Sequence, residues 1–215
     1  EALKNGSPLD LLATMRVIAR DQDRFGVIKD GVLIPEVTTY KKIEVGRFEV
    51  TRAQWAAFDK NYRYEQGTFN YPMTGVSVEE ARQYTHWLSR LTGKPYRLPT
   101  EEDAKTLYEK QTPATGNTFD YWAGYKINPD DYARLSATLE KYGVEPVLLK
   151  PVGSFPPVFD ENSKNLIFDL YGNAAEWVAS KEGIGLIKGG SAITPEDTRS
   201  TQTPPPYYTG FRVVN

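Results

Sequence analysis

Asp169-Leu170-Tyr171-Gly172-Asn173-Ala174-Ala175-Glu176-Trp177, then Lys188-Gly189-Gly190-Ser191, then Gly210-Phe211-Arg212-Val213-Val214, is the stretch whose reading decides the fold. Short apolar runs at 147–149, 165–170, 184–188 and 211–214 alternate with Gly, Pro and Asn, the pattern of brief strands joined by turns. Earlier residues carry helical patterns instead. Helices gathered before a strand-rich tail make the chain α+β rather than alternating α/β.

Working outward, five helices are expected before this tail. Ser7-Pro8-Leu9-Asp10 opens an amphipathic helix with Leu11, Leu12, Met15, Ile18 and Ala19 on one face and Gly26 as its stop. Thr51-Arg52-Ala53-Gln54 and Ser77-Val78-Glu79-Glu80 are capping-box patterns, in which a hydroxyl and a side chain three residues on satisfy each other's backbone N–H groups. The first starts a short helix with Trp55 and Phe58 inward. The second starts a longer one with Ala81, Tyr84, Thr85, Leu88 and Leu91 inward and Gly93 as its stop. Pro99-Thr100-Glu101-Glu102-Asp103 opens another, with Leu107 and Tyr108 inward. Asn128-Pro129-Asp130-Asp131 opens a further helix with Tyr132, Leu135, Leu139 and Tyr142 as its stripe. Residues 32–50 read as extended, and Gly46 breaks the alternation of Ile43, Val45, Phe48 and Val50 with a bulge or bend.

Composition removes several classes of function. The 215 residues carry a net charge of −2 and no basic stripe, which excludes a nucleic-acid partner. No apolar run reaches the ~20 residues of a membrane span. With no cysteine, thiolate metal sites, disulfides and thiol nucleophiles are all excluded. The compartment stays open, export to a bacterial periplasm included. The chain begins at Glu1 without an initiator Met, as expected of a processed form or a piece of something longer. The sequence names neither a protein or small-ligand partner nor an oligomeric state.

Three stretches add to the tail. Phe48-Glu49-Val50-Thr51-Arg52-Ala53-Gln54-Trp55, Pro72-Met73-Thr74-Gly75-Val76-Ser77 and, most specifically, Gly93-Lys94-Pro95-Tyr96-Arg97-Leu98-Pro99-Thr100-Glu101 fall in one order with the three tail motifs. Together they resemble the formylglycine-generating enzyme family, also called the sulfatase-modifying factor domain. The resemblance runs from about residue 43 to the C-terminus. It implies a compact variant of the C-type lectin fold with little regular secondary structure and long loops. Residues 1–34 are then a helical extension and 35–215 the domain.

The resemblance also fixes what is missing. The family's enzymes bind copper through two cysteines lying between the Gly-Gly-Ser and Gly-Phe-Arg motifs, and oxidise a substrate cysteine with oxygen. This chain has no soft ligand there, so no copper is expected. Iron-dependent relatives use several histidines, whereas the lone His86 sits on a polar helix face. Three positions that are aromatic in the family are Ala104, Ala175 and Ala192, each of which leaves a void unless other groups refill it.

One metal does carry over. The family's calcium site maps onto the Asp169 side chain, the Gly172 and Ala174 carbonyls and the Glu176 side chain, so a structural calcium is expected; the alternative is that Glu176 makes a salt bridge or caps the turn. A second family site near residues 117–131 finds only Asp120, Asn128 and Asp130 as available oxygens. Gly172, Gly189 and Gly190 make no phosphate-binding loop, and Ser191 has no histidine base within plausible reach.

A non-catalytic binding or structural module, a pseudoenzyme, is the expected function. Glu196, Asp197, Arg199, Tyr207 and Tyr208 would form its contact surface, with Pro204-Pro205-Pro206 stiffening an aromatic projection. Two alternatives are an enzyme of cysteine-independent chemistry in peptide or siderophore maturation, using Glu196, Asp197 and Arg199, and a lectin-like carbohydrate-binding domain.

Overall fold

Both capping boxes close as the sequence requires, and they anchor the helical half of the domain. The computed structural model describes residues 25–108, 128–141, 148–155, 157–159, 165–192 and 203–215. Helix α1 (Arg52–Phe58) is capped by Thr51, whose hydroxyl accepts from Gln54 N while Thr51 N donates to Gln54 Oε1 at 3.0 Å. Helix α2 (Val78–Thr92) is capped by Ser77 and Glu80 in the same way. It ends at Gly93, whose φ of +74° is the left-handed cap that glycine adopts without strain. Ala81, Tyr84, Thr85 and Leu88 form its buried face. Helix α3 (Glu101–Tyr108) follows Thr100, whose N–H and hydroxyl both donate to the Asp103 carboxylate.

Helix α4 (Pro129–Lys141) is capped by Asn128, which accepts from Asp131 N at 2.9 Å. Leu135, expected to face inward, is 39% exposed. The remaining stripe residues lie outside the described side chains.

The strands are short and mostly paired in twos. Strands β1 (Gly26–Lys29) and β2 (Val32–Pro35) form an antiparallel hairpin about Asp30-Gly31, both at positive φ. That is the geometry of the two-residue turn whose twist matches the flanking strands. Strands β3 (Val37–Tyr40) and β4 (Ile43–Gly46) form a second hairpin, and β5 (Val158–Phe159) pairs with β6 (Leu166–Ile167). A three-stranded sheet has β7 (Ala175–Ala179) at its centre, antiparallel to β8 (Gly185–Lys188) and parallel to β9 (Thr209–Gly210). The strand through Glu176-Trp177 was not foreseen as one.

The β1–β2 hairpin belongs to the domain body. Ile34 is buried in the main core, and Gln54 Nε2 donates to Phe25 O at 3.1 Å. The boundary expected between residues 34 and 35 therefore falls inside β2. The expected helix over residues 7–25 lies outside the described residues, apart from Phe25.

The main core packs Trp55, Tyr84, Leu88, Leu98, Phe211 and Val213. Trp55 stacks on Tyr84 at 5.6 Å between ring centroids, and Phe211 meets Tyr84 edge-on at 5.4 Å. Such aromatic pairs contribute roughly 0.5–1.5 kcal/mol beyond the area they bury. Segment 211–215 runs through the middle of this packing. Val50 N donates to Phe211 O, Gly46 N to Val213 O, Arg97 N to Val214 O and Asn215 N to Glu44 O.

Candidate functional site: a buried ionic junction

Arg212 is brought inside by its neighbours. Phe211 and Val213 face one apolar cluster and Val214 another, leaving the guanidinium fully enclosed. An enclosed charge needs a partner and a nearly complete set of hydrogen bonds. Glu176, 1% exposed on β7, is the partner, and two backbone carbonyls complete the set. Arg212 Nε donates to Glu176 Oε1 at 2.8 Å and Oε2 at 2.7 Å, and Nη2 donates to Oε1 at 2.5 Å. Nη1 donates to Gly46 O and Nη2 to Phe168 O, both at 2.9 Å. The Tyr108 hydroxyl, from the end of α3, adds a bond to Glu176 Oε2 at 3.1 Å. Burial opposes the Arg212 charge, but Glu176 outweighs it and holds the guanidinium above its ordinary range.

Two more carboxylates surround this pair. Asp169, at φ +62°, accepts from Gly153 N and from Phe155 N at 2.8 Å. Burial raises its carboxyl to about 6, against the pull of those two amides and Arg212. Glu49 accepts from Ala174 N at 2.9 Å and Asn173 Nδ2 at 3.0 Å. Burial, with Asp169 and Glu176 nearby, pushes it well above the usual carboxylate range. Asn173, at φ +68°, also donates to Lys150 O and accepts from Lys150 N. Glu49 and Asn173 lie inside the motifs, but no role was assigned to either. Glu49 sits between buried Phe48 and Val50 and is itself buried, a sign of polar purpose that alternation alone does not give.

At the two side-chain positions expected to hold calcium, Asp169 and Glu176, the carboxylate oxygens already have partners. Both Glu176 oxygens face Arg212 or Tyr108, both Asp169 oxygens face amide hydrogens, and Ala174 turns its N–H toward Glu49. Among the described residues no group of three or more His, Cys, Asp or Glu converges to hold a metal ion. Glu176 forms a buried salt bridge with Arg212.

The expected contact surface divides. Glu196, Asp197, Arg199 and Asp120 lie outside the described residues. Tyr208 does not project. It is 2% exposed in a turn over Pro206–Tyr208, packed with Leu148, Leu149, Ala174 and Ala192, and its hydroxyl accepts from Leu148 N at 3.4 Å. Tyr207 is half-buried against the same cluster. These side chains fill the space beside Ala192. Ala104 and Ala175 are buried as well. His86 is exposed on α2, and Ser191 is fully buried.

A small α+β domain of hairpins, held at its centre by a buried Arg–Glu pair, is the class that this fold and site define. The model of the sulfatase-modifying factor enzyme 1-like domain matches residues 27–215, and the chain belongs to that family as a cysteine-free member. Its fold is the formylglycine-generating-enzyme-like variant of the C-type lectin fold. Two solved structures share the fold. PvdO from Pseudomonas aeruginosa is 21% identical with a TM-score of 0.50, over 89% of this chain and 87% of that one. CarF is 18% identical with a TM-score of 0.51, over 82% of this chain and 88% of that one. No curated protein sequence matches this chain.

Proposed function

We propose that this chain is a non-catalytic member of its family, a binding or structural module that uses the scaffold without the oxidation. The observation that carries this reading is the pairing of a complete structural junction with the absence of every thiol: Glu176 and Arg212 are joined at the centre of the domain, while the family's copper chemistry has no thiolate ligand anywhere in the chain. Further support comes from both described ends of the segment that holds the cysteines in the enzymes. Ala192 on one side and Tyr208 on the other are packed together with Leu148 and Leu149. A calcium-stabilised version of the module is not part of this reading, because the two expected side-chain ligands, Asp169 and Glu176, already have partners. Nucleic acid remains an unsuited partner on charge, and among the described residues no helix is long and apolar enough to cross a membrane.

The test is incubation with a cysteine-bearing peptide, copper and oxygen, followed by mass spectrometry. The expected outcome is unmodified peptide. Conversion of the cysteine would sink the proposal and restore the carboxylate-based alternative, whose first variants would be Glu196→Gln, Asp197→Asn and Arg199→Gln.

A further inference from the structure

The calcium expectation and the geometry of the junction disagree, and the disagreement has a cause that can be read atom by atom. Calcium requires six to eight oxygens at about 2.3–2.6 Å with lone pairs turned toward it. A carboxylate has about four lone-pair sites. On Glu176 four donor contacts already face the two oxygens: Nε and Nη2 of Arg212 on Oε1, and Nε of Arg212 with the Tyr108 hydroxyl on Oε2. On Asp169 the oxygens satisfy two buried amides, those of Gly153 and Phe155, which would be orphaned if the carboxylate turned away.

The guanidinium meanwhile collects a particular set of acceptors. They are one carboxylate (Glu176) and two backbone carbonyls (Gly46 and Phe168). A carboxylate with carbonyl oxygens is the donor chemistry that a hard cation selects. Here it is given to a cation that is part of the chain, has five N–H donors and stays charged across the accessible pH range. A calcium ion at Glu176 would sit against that buried positive charge, where water does little to screen the repulsion.

We propose that Arg212 is the resident cation of this junction, and that the Asp169–Glu176 segment takes up no calcium. The fold at this point is then insensitive to chelators and to the calcium content of its compartment. This inference does not depend on whether the domain is catalytic.

Thermal melts of the unmodified protein in EDTA, in magnesium and in millimolar calcium give the first test, with calorimetric titration of calcium beside them. The expected result is one melting temperature in all three and no saturable heat. A saturable calcium-dependent rise in melting temperature that disappears in Glu176→Gln overturns the proposal. The second test is Arg212→Ala with guanidinium ion added well below denaturing concentration. The expected result is a rise in the variant's melting temperature where the unmodified protein shows none. A folded Arg212→Ala protein that guanidinium does not stabilise also overturns it. Should that variant fail to fold, the calcium and EDTA melts of the unmodified protein decide the matter.

Discussion

The side-chain amide of Asn173 donates to Glu49 Oε2 at 3.0 Å across 124 residues of sequence. Asn173 Nδ2 also donates to Lys150 O and its Oδ1 accepts from Lys150 N, so one buried amide ties three separate segments together. Replacing Asn173 with Asp turns a donor into a fourth buried carboxylate facing Glu49. The expected loss is about 3 kcal/mol or more, the range for an uncompensated buried charge. Replacing Glu49 with Gln removes one carboxylate charge while keeping the shape, and is expected to cost less. Urea unfolding of the two variants checks the order.

Acid sensitivity is expected at the start of α3. Burial raises the Asp103 carboxyl, but bonds from Arg97 at 2.5 Å and from Thr100 N and its hydroxyl outweigh that and hold it below its usual value. A carboxylate with a depressed folded pKa contributes stability that is present above its unfolded value and is lost as pH falls through the folded one. Arg97 is about half exposed, so screening limits the contribution to about 1 kcal/mol. Asp103→Asn should flatten the fall in stability below pH 4, measured by melts over an acid series.

Gly189 has φ +78°, and a Cβ there would lie 2.7 Å from Leu170 O. Gly189→Ala meets both a strained backbone and a backbone oxygen that cannot swing aside. An expected loss of about 2 kcal/mol or more contrasts with Gly67→Ala, where φ is +86° but no atom lies within 4 Å. The difference between the two melting temperatures isolates the close approach from the dihedral strain.

Filling the space beside Ala192 is the role assigned to Tyr208. Tyr208→Ala removes a buried ring and is expected to cost about 3–5 kcal/mol. Tyr208→Phe loses only the long bond from Leu148 N and should stay within about 1.5 kcal/mol. Equal losses in the two variants would contradict the packing role.

Much of the helical half was legible because its signals are local. Thr51 with Gln54, Ser77 with Glu80 and Gly93 each act within one turn, so their residues identify their structure. The β1–β2 hairpin is equally local, and Asp30-Gly31 carries its signal, although the resemblance places residues up to 34 in a helical extension. The junction lies at the other extreme. Arg212, Glu176 and Asp169 were visible as motif members, but Glu49, Asn173 and Tyr108 join them only through contacts across tens to more than a hundred residues. Whether Glu176 faces a metal or a guanidinium depends on which group reaches it first in space, and spacing along the chain does not encode that. Leu135 shows the converse limit, since helical period gives a stripe without saying that anything covers it.

The passage of segment 211–214 between Gly46, Val50 and Arg97 has a consequence for synthesis. Residues made near the start of the domain wait for partners made some 160 positions later, so loop closure must precede their reward. Until Phe211 emerges, Trp55 and Tyr84 have Phe58 and Trp87 beside them but lack the ring that meets both edge-on. The centre of the domain is therefore completed late, and apolar side chains that will flank segment 211–214 stay uncovered until it is made.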